Sequence, residues 1–293
     1  MLTDFAGFIF DLDGTIYLGE ELIPGAAEVI KEIRRLDKGC IFLSNKPIAR
    51  RENYAEKLTR LGIETSPEEV INSSLVTADY LARNSPGATV YVLGEKSLME
   101  ELKDAGLTVV NEGLEKEGYQ VVDGRFDKEG YNFFELGIQG KEYKDVDCLV
   151  VSFDRNFHYG RLNDALQILK EGAELVATNP DSTCPLAGGE IPDAACMIAA
   201  VEAASGREVE KIMGKPSPQM IETALKTMNK KREEPISRED CLMVGDRLST
   251  DIKMGEAAGL TTAAVLSGVT DRQRLEKTEV QPDMVLKSVE ELL

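Results

Sequence analysis

Short apolar runs alternate with stretches of helical spacing along the chain, and three of the runs stop on a reactive side chain. The first, Phe8-Ile9-Phe10, has the size of a fully buried strand; it stops on Asp11, with Asp13 two residues on and Gly14-Thr15 opening a turn. Ala26, Val29, Ile30, Ile33 and Leu36 then fall at helical spacing after Pro24-Gly25, which predicts a helix over 25–37 that Gly39 closes. A second strand, CIFLS at 40–44, ends on Ser44 and passes to Asn45-Lys46-Pro47. Tyr54, Leu58 and Leu61 mark another helix closed by Gly62, and 69–83 give a strand and a helix capped from Ser73 or Ser74. Strand and helix in units this short predict a parallel sheet with right-handed crossovers, an α/β fold.

The cluster Asn84-Ser85-Pro86-Gly87 is a strong punctuation mark, and a domain boundary is expected there. Beyond it a second α/β pattern runs through strands at 90–94, 148–153 and 174–178, with helices near 96–105 and 160–171. Between them, the polar stretch 111–146 contains YQVVDGRFD, which reads as a hairpin with an Asp-Gly turn. The first pattern is expected to resume at Asn179. Asp193 caps a small-residue helix, Ser217-Pro218 opens another, CLMVGD ends on Asp246, and TTAAVL is the last clear strand. The expected organisation is a core of 1–84 and 179–293 with an inserted α/β domain at 85–178.

Composition narrows the function. At 293 residues two domains are the default, and no apolar run approaches a membrane span or a signal-peptide core, so a soluble, cytoplasmic protein is expected, with no membrane partner. Five cysteines, far apart and without a CxxC pattern, argue against a disulfide framework or a thiolate zinc site. A formal net charge of −18 argues against nucleic acid as partner. With His158 the only histidine, catalysis rests on carboxylates, hydroxyls or lysine.

Carboxylates at the mouth of a buried strand are costly unless paired or metal-bound, and the carboxyl ends of parallel strands are where ligands sit. A phosphate site with a divalent cation meets both conditions. A calcium-binding loop does not fit, because its sixth and twelfth positions would be Ile16 and Leu22. A plain surface turn also accounts for DxDG taken alone. Three strands ending in Asp11, Ser44 and Asp246 put those residues on one sheet edge, and Lys215, just before a helix start, adds an ammonium for phosphate oxygens.

In order, DxDGT, Ser-Asn, Lys-Pro and GDRLSTD resemble the four motifs of the haloacid dehalogenase superfamily of phosphohydrolases. The phrases DLDGTIYLG, FLSN, ATNPD, GKPSP and VGDRLSTDI resemble its type IIA branch, the NagD-like and nitrophenylphosphatase-like group. The resemblance implies a Rossmann-like core with a large α/β cap between the second and third motifs, and a Mg²⁺-dependent phosphatase acting on small phosphate esters. It makes Asp11 the nucleophile and Asp13 the general acid and base. Ser44, Asn45, Gly14 and Lys215 would bind the phosphoryl group, and Asp11, Asp13, Asp246 and Asp251 would form the magnesium site. One departure stands out: where the branch often has Thr/Ser-Asn-Asn at its second motif, this chain has Ser44-Asn45-Lys46-Pro47, and Pro47 has no N–H for a phosphate. Lys46 either adds a charge near the substrate or points to solvent, with solvent the expectation.

A cap would exclude water and limit ligand size. Asp154, Arg155, Asn156 and His158 in FDRNFHYG are candidates for contacting the leaving group, with a strand-to-helix turn and its N-cap as the competing reading. The 111–146 stretch is expected to form a cap edge used in contact between copies of the chain. A phosphotransferase or mutase, or a phosphometabolite-binding protein without turnover, are the alternative functions.

Overall fold

The computed structural model describes residues 1–112, 142–186 and 188–293. The hairpin expected within 111–146, and the intermolecular contact assigned to it, lie outside the described residues.

The chain forms two compact units, Met1–Val76 with Leu186–Gly188 and Met213–Leu293, and Thr77–Pro185 with Gly189–Ile212. It begins with β1 (Gly7–Asp11), β2 (Tyr17–Leu18), β3 (Glu21–Leu22), α1 (Ala26–Arg35), β4 (Gly39–Ser44), α2 (Arg51–Arg60), β5 (Val70–Asn72) and α3 (Ser73–Asn84). Next come β6 (Thr89–Leu93), α4 (Lys96–Asp104), β7 (Thr108–Val109), β8 (Cys148–Val151), α5 (Tyr159–Lys170), β9 (Glu174–Ala177), β10 (Thr183–Leu186), β11 (Gly189–Pro192), α6 (Ala194–Ser205) and β12 (Lys211–Ile212). The chain ends with α7 (Pro218–Asn229), β13 (Cys241–Gly245), α8 (Lys253–Ala258), β14 (Thr261–Val265), α9 (Arg272–Lys277) and β15 (Met284–Leu286).

The first unit is built on a parallel sheet of order β15-β14-β13-β1-β4-β5. Every residue of β1, β4 and β13 is buried, as expected of parallel strands covered on both faces. Phe8, Phe10 and Phe42 lie together, with centroids 6.1 Å apart for Phe8 and Phe10 and 6.3 Å for Phe10 and Phe42. On one side α1 buries Ala26, Val29, Ile30 and Ile33, the helical stripe read from the sequence. Full burial of an Ile or Leu such as Ile33 or Leu58 stabilises by about 1.5–3 kcal/mol.

The second unit holds its own parallel sheet, β12-β9-β8-β6-β7. Its membership differs from the expectation of 85–178. Helix α6 and strand β12 belong to it, because β12 extends the sheet beside β9 and Ala194, Ile198 and Val201 join the same apolar cluster as Leu149, Ile168 and Leu175. The first division falls inside α3, between Val76 and Thr77, where helical hydrogen bonding continues unbroken and leaves no local mark in the sequence. The short strands β2, β3 and β7 are two residues each, below the length at which periodicity can be read. No helix among the described residues is long and apolar enough to cross a membrane, and all five cysteines are free thiols.

Candidate active site

From β1 the chain moves to β4 and β5 on one side of the sheet, while β13, β14 and β15 lie on the other. The order therefore reverses between β1 and β13, and the crevice at the carboxyl ends of such strands is where parallel sheets bind ligands. Asp11 ends β1, Asp246 directly follows β13, and Ser44 ends β4. Asp11, Ser44, Asp246, Asp251 and Lys215 are all buried, so the charges of the four ionisable ones and the Ser44 hydroxyl must be met inside the protein.

Lys215 meets part of that charge. Its ammonium hydrogen-bonds Asp11 Oδ1 and lies 2.7 Å from Asp251 Oδ1. Burial disfavours the charge on Lys215, but Asp11 and Asp251 more than offset that and hold its pKa above the usual lysine range. Asp11, Asp246 and Asp251 each present an oxygen within 4.8 Å of the others. Three carboxylates thus face one ammonium. Burial pushes Asp11 well above the usual carboxylate range; Lys215 pulls it down, while Asp251 and Asp246 add to the rise. Burial, followed by the charge of Asp251, pushes Asp246 up to about 6, against the Val269 N–H.

Asp246 Oδ1 is buried with no hydrogen-bond partner, while Oδ2 accepts from Val269 N at 2.6 Å. An orphaned buried oxygen, next to Asp11 and in a cluster with excess negative charge, fits a divalent cation bound through carboxylate oxygens. Asp251 fits a supporting role. Its Oδ1 takes Lys215, and its Oδ2 accepts from Arg247 N at 3.0 Å, within a π-type turn over Leu248–Ile252.

Glycine makes the crowding achievable. Gly14 sits at φ 84, and a Cβ there would stand 2.5 Å from Asp246 Oδ2; one on Gly268 would stand 2.0 Å from the same oxygen, and one on Gly245 2.3 Å from Asp251 Cβ. Gly14 N–H donates to Tyr17 O at 2.7 Å, and its lack of a Cβ leaves room for Asp246. Ser267, whose hydroxyl donates to Gly14 O at 2.7 Å, and the Gly268-Val269 backbone were not singled out in the sequence. Their only signal there is the small, polar run SGVT directly after the last clear strand.

The second motif divides its work. Asn45 clamps the Lys215 backbone, donating to Lys215 O at 3.1 Å and accepting from Lys215 N at 2.7 Å. Asn45 thus fixes the residue that carries the ammonium. Lys46 N donates to Ser44 Oγ at 3.2 Å. The Lys46 side chain does not run to solvent as expected: its ammonium lies 3.0 Å from Asp13 Oδ1, with the two side chains 22% and 31% exposed. Asp13, expected in the metal site, is not one of the three carboxylates, Asp11, Asp246 and Asp251, whose oxygens come within 4.8 Å of one another.

In the second unit, the four residues expected to contact a leaving group already make local contacts. Asp154 is buried against Arg161 at 2.6 Å and accepts from Asn156 N at 2.8 Å. Arg155 pairs with Glu95, at 2.6 Å from Nε and 2.8 Å from an Nη nitrogen. His158 Nδ1 accepts from Gly160 N at 3.1 Å and caps α5. The N-cap reading thus accounts for His158. Burial pushes Asp154 up to about 6, against the pull of Arg161. The ATNPD segment forms a similar local net, in which Thr178 donates to Ser152 and Asn179 reaches Asp181 and Asp193.

Comparison with known proteins agrees with this geometry. The family model described as haloacid dehalogenase-like hydrolase matches residues 8–108, and a second, HAD-hydrolase-like model matches 212–292. The chain is 34% identical to the sugar-phosphatase AraL of Bacillus subtilis, covering 98% of this chain and 92% of that one. It is 30% identical to the acid sugar phosphatase of Staphylococcus haemolyticus, over 98% and 95% of the two chains. Among solved structures, the p-nitrophenyl phosphatase from Archaeoglobus fulgidus superposes with a TM-score of 0.82 at 30% identity, covering 99% of this chain and 98% of that one. NagD from Escherichia coli K-12 superposes at 0.79 with 28% identity, covering 98% of both. Motif residues gathered on one sheet edge and near-full-length similarity lead to one conclusion: the chain belongs to the haloacid dehalogenase-like hydrolases, on their NagD-like type IIA branch, and is a phosphatase of that family.

Proposed function

We propose that the protein hydrolyses small phosphomonoesters, with sugar phosphates the first class to test, through a phosphoryl intermediate on Asp11. The observation that carries this reading is the pairing of Asp11 with the buried Lys215 beside the orphaned Asp246 oxygen. The names of the relatives, sugar-phosphatase and acid sugar phosphatase, support the substrate class.

Asp11 and Asp246 would hold a divalent cation, Mg²⁺ in our reading, with Asp251 beside them. Bound there, the cation supplies charge neutralisation for the phosphoryl oxygens and for the Asp11 carboxylate. Lys215 favours the ionised form of Asp11 against the opposing effects of burial, Asp251 and Asp246, and it orients one of the Asp11 oxygens. The other oxygen attacks phosphorus in line with the ester oxygen, and the P–O bond to the alcohol breaks as Asp13 transfers a proton to the leaving oxygen. Asp13, now a carboxylate, takes a proton from water as that water attacks the phosphorus of the Asp11 acyl phosphate. Inorganic phosphate leaves and the Asp11 carboxylate is restored. Ser44 hydroxyl, at the end of β4, binds a phosphoryl oxygen in this scheme.

The test is phosphate release from a panel of sugar phosphates, phosphoglycolate, pyridoxal phosphate and nucleoside monophosphates, with and without Mg²⁺. Cation-dependent release with a preference for sugar phosphates is expected. Release from none of these esters, or transfer to an added alcohol in place of water, would overturn the reading.

A further inference from the structure

Lys46 occupies a position that the proposed reaction does not use. It is held at three points: its N–H donates to Ser44 Oγ at 3.2 Å, its carbonyl accepts from the buried Tyr54 hydroxyl at 2.9 Å, and its ammonium lies 3.0 Å from Asp13 Oδ1. The backbone of Lys46 is thereby tied to the end of β4 and to α2, while its side chain reaches the turn after β1. A lysine stem has four rotatable bonds and loses much freedom when so held. A contact made at that cost, to a carboxylate otherwise set on a turn, limits the carboxylate to fewer orientations.

We propose that Lys46 is a positioning residue: it sets the orientation of Asp13 toward the leaving-group oxygen and couples it to the loop that carries Ser44. The inference rests on the phosphatase reading above. Proton transfer needs its partners within about 2.6–3.2 Å, so a carboxylate free to swing loses part of its contribution, which is typically about 10²–10⁴-fold. Tyr54 acts one step further back, by holding the Lys46 carbonyl.

The experiment compares two substrates of one enzyme, an alkyl phosphate and 4-nitrophenyl phosphate, whose leaving group departs without a proton. For Lys46→Met, kcat/KM on the alkyl ester is expected to fall by about 10–10²-fold, part of the range for general acid help. The fall on nitrophenyl phosphate should be far smaller, and Lys46→Arg should restore most of the ratio. Tyr54→Phe should move the ratio the same way by a smaller factor. In an Asp13→Asn background, Lys46→Met should change the ratio no further. Equal losses on both esters, a rise in KM common to both, or an undiminished effect without Asp13 would overturn the inference while leaving the phosphatase reading intact. Wild-type protein that hydrolyses neither ester would overturn both.

Discussion

Gly14 and Asp246 meet so closely that a single methyl group at Gly14 would stand 2.5 Å from the Asp246 carboxylate. The first motif thus shapes the fourth through the absence of a side chain, at a residue whose φ of 84 would strain any other amino acid. Gly14→Ala is expected to destabilise the protein by about 1–3 kcal/mol, combining backbone strain with the displaced carboxylate. Urea unfolding with and without Mg²⁺ checks this. The variant should also lose most of the stabilisation that the cation gives the wild type, and an unchanged cation response would contradict the contact's role.

Lys215 is the only cation paired with both Asp11 and Asp251 among the described residues. Removing it leaves two buried carboxylates facing each other and Asp246. Lys215→Met is expected to cost about 3–5 kcal/mol, the usual penalty for breaking a buried pair on one side, and to abolish turnover. Denaturant melts and phosphate release measure the two effects separately.

Asp246 sets a pH dependence. Burial and the charge of Asp251 raise its carboxyl from an ordinary 3.8 to about 6. The folded state therefore binds more protons than the unfolded chain between these values. The stability that the Asp246 carboxyl contributes is complete below 3.8 and is lost as the pH rises through about 6. A cation favours the ionised carboxylate and reverses that loss. Mg²⁺ is expected to raise the melting temperature strongly at pH 7.5 and little at pH 4.5, as differential scanning calorimetry would show; equal shifts at both values would contradict it.

The inserted unit has a buried ion pair of its own. Arg161 and Asp154 have side chains 3% and 0% exposed and lie 2.6 Å apart, and Arg161 also donates to Val92 O at 2.7 Å. Arg161→Met should destabilise this unit by about 3–5 kcal/mol. The double change Arg161→Met with Asp154→Leu should recover much of the loss, since no charge then remains buried alone. Limited proteolysis and thermal melts would distinguish these outcomes.

Residues whose chemistry is local were legible in the sequence. Asp11, Ser44 and Asp246 end apolar runs, so their burial at one sheet edge follows from the alternation of strand and helix alone. The stripe of Val29, Ile30 and Ile33 and the cap by Asp193 were legible for the same reason. What stayed hidden depends on contacts remote in sequence. Lys46 reaching Asp13, Asn45 clamping Lys215 across 170 positions, and Ser267 meeting Gly14 across 253 have no periodic signal. The placement of α6 and β12 was hidden likewise, because a short edge strand is defined by its neighbour β9 and not by its own two residues. Gly14 shows the limit most clearly: a glycine in a turn reads the same whether it gives a phosphate its N–H or gives a carboxylate room.

The most direct test of the account is chemical capture of the intermediate on Asp11. The enzyme is mixed with a ³²P-labelled sugar phosphate and Mg²⁺, quenched in acid within a turnover, and digested for peptide mapping. The account predicts hydroxylamine-labile label on the peptide containing Asp11 in the wild type and none in Asp11→Asn, which also releases no phosphate. Label on another peptide, or undiminished phosphate release by Asp11→Asn, would contradict it.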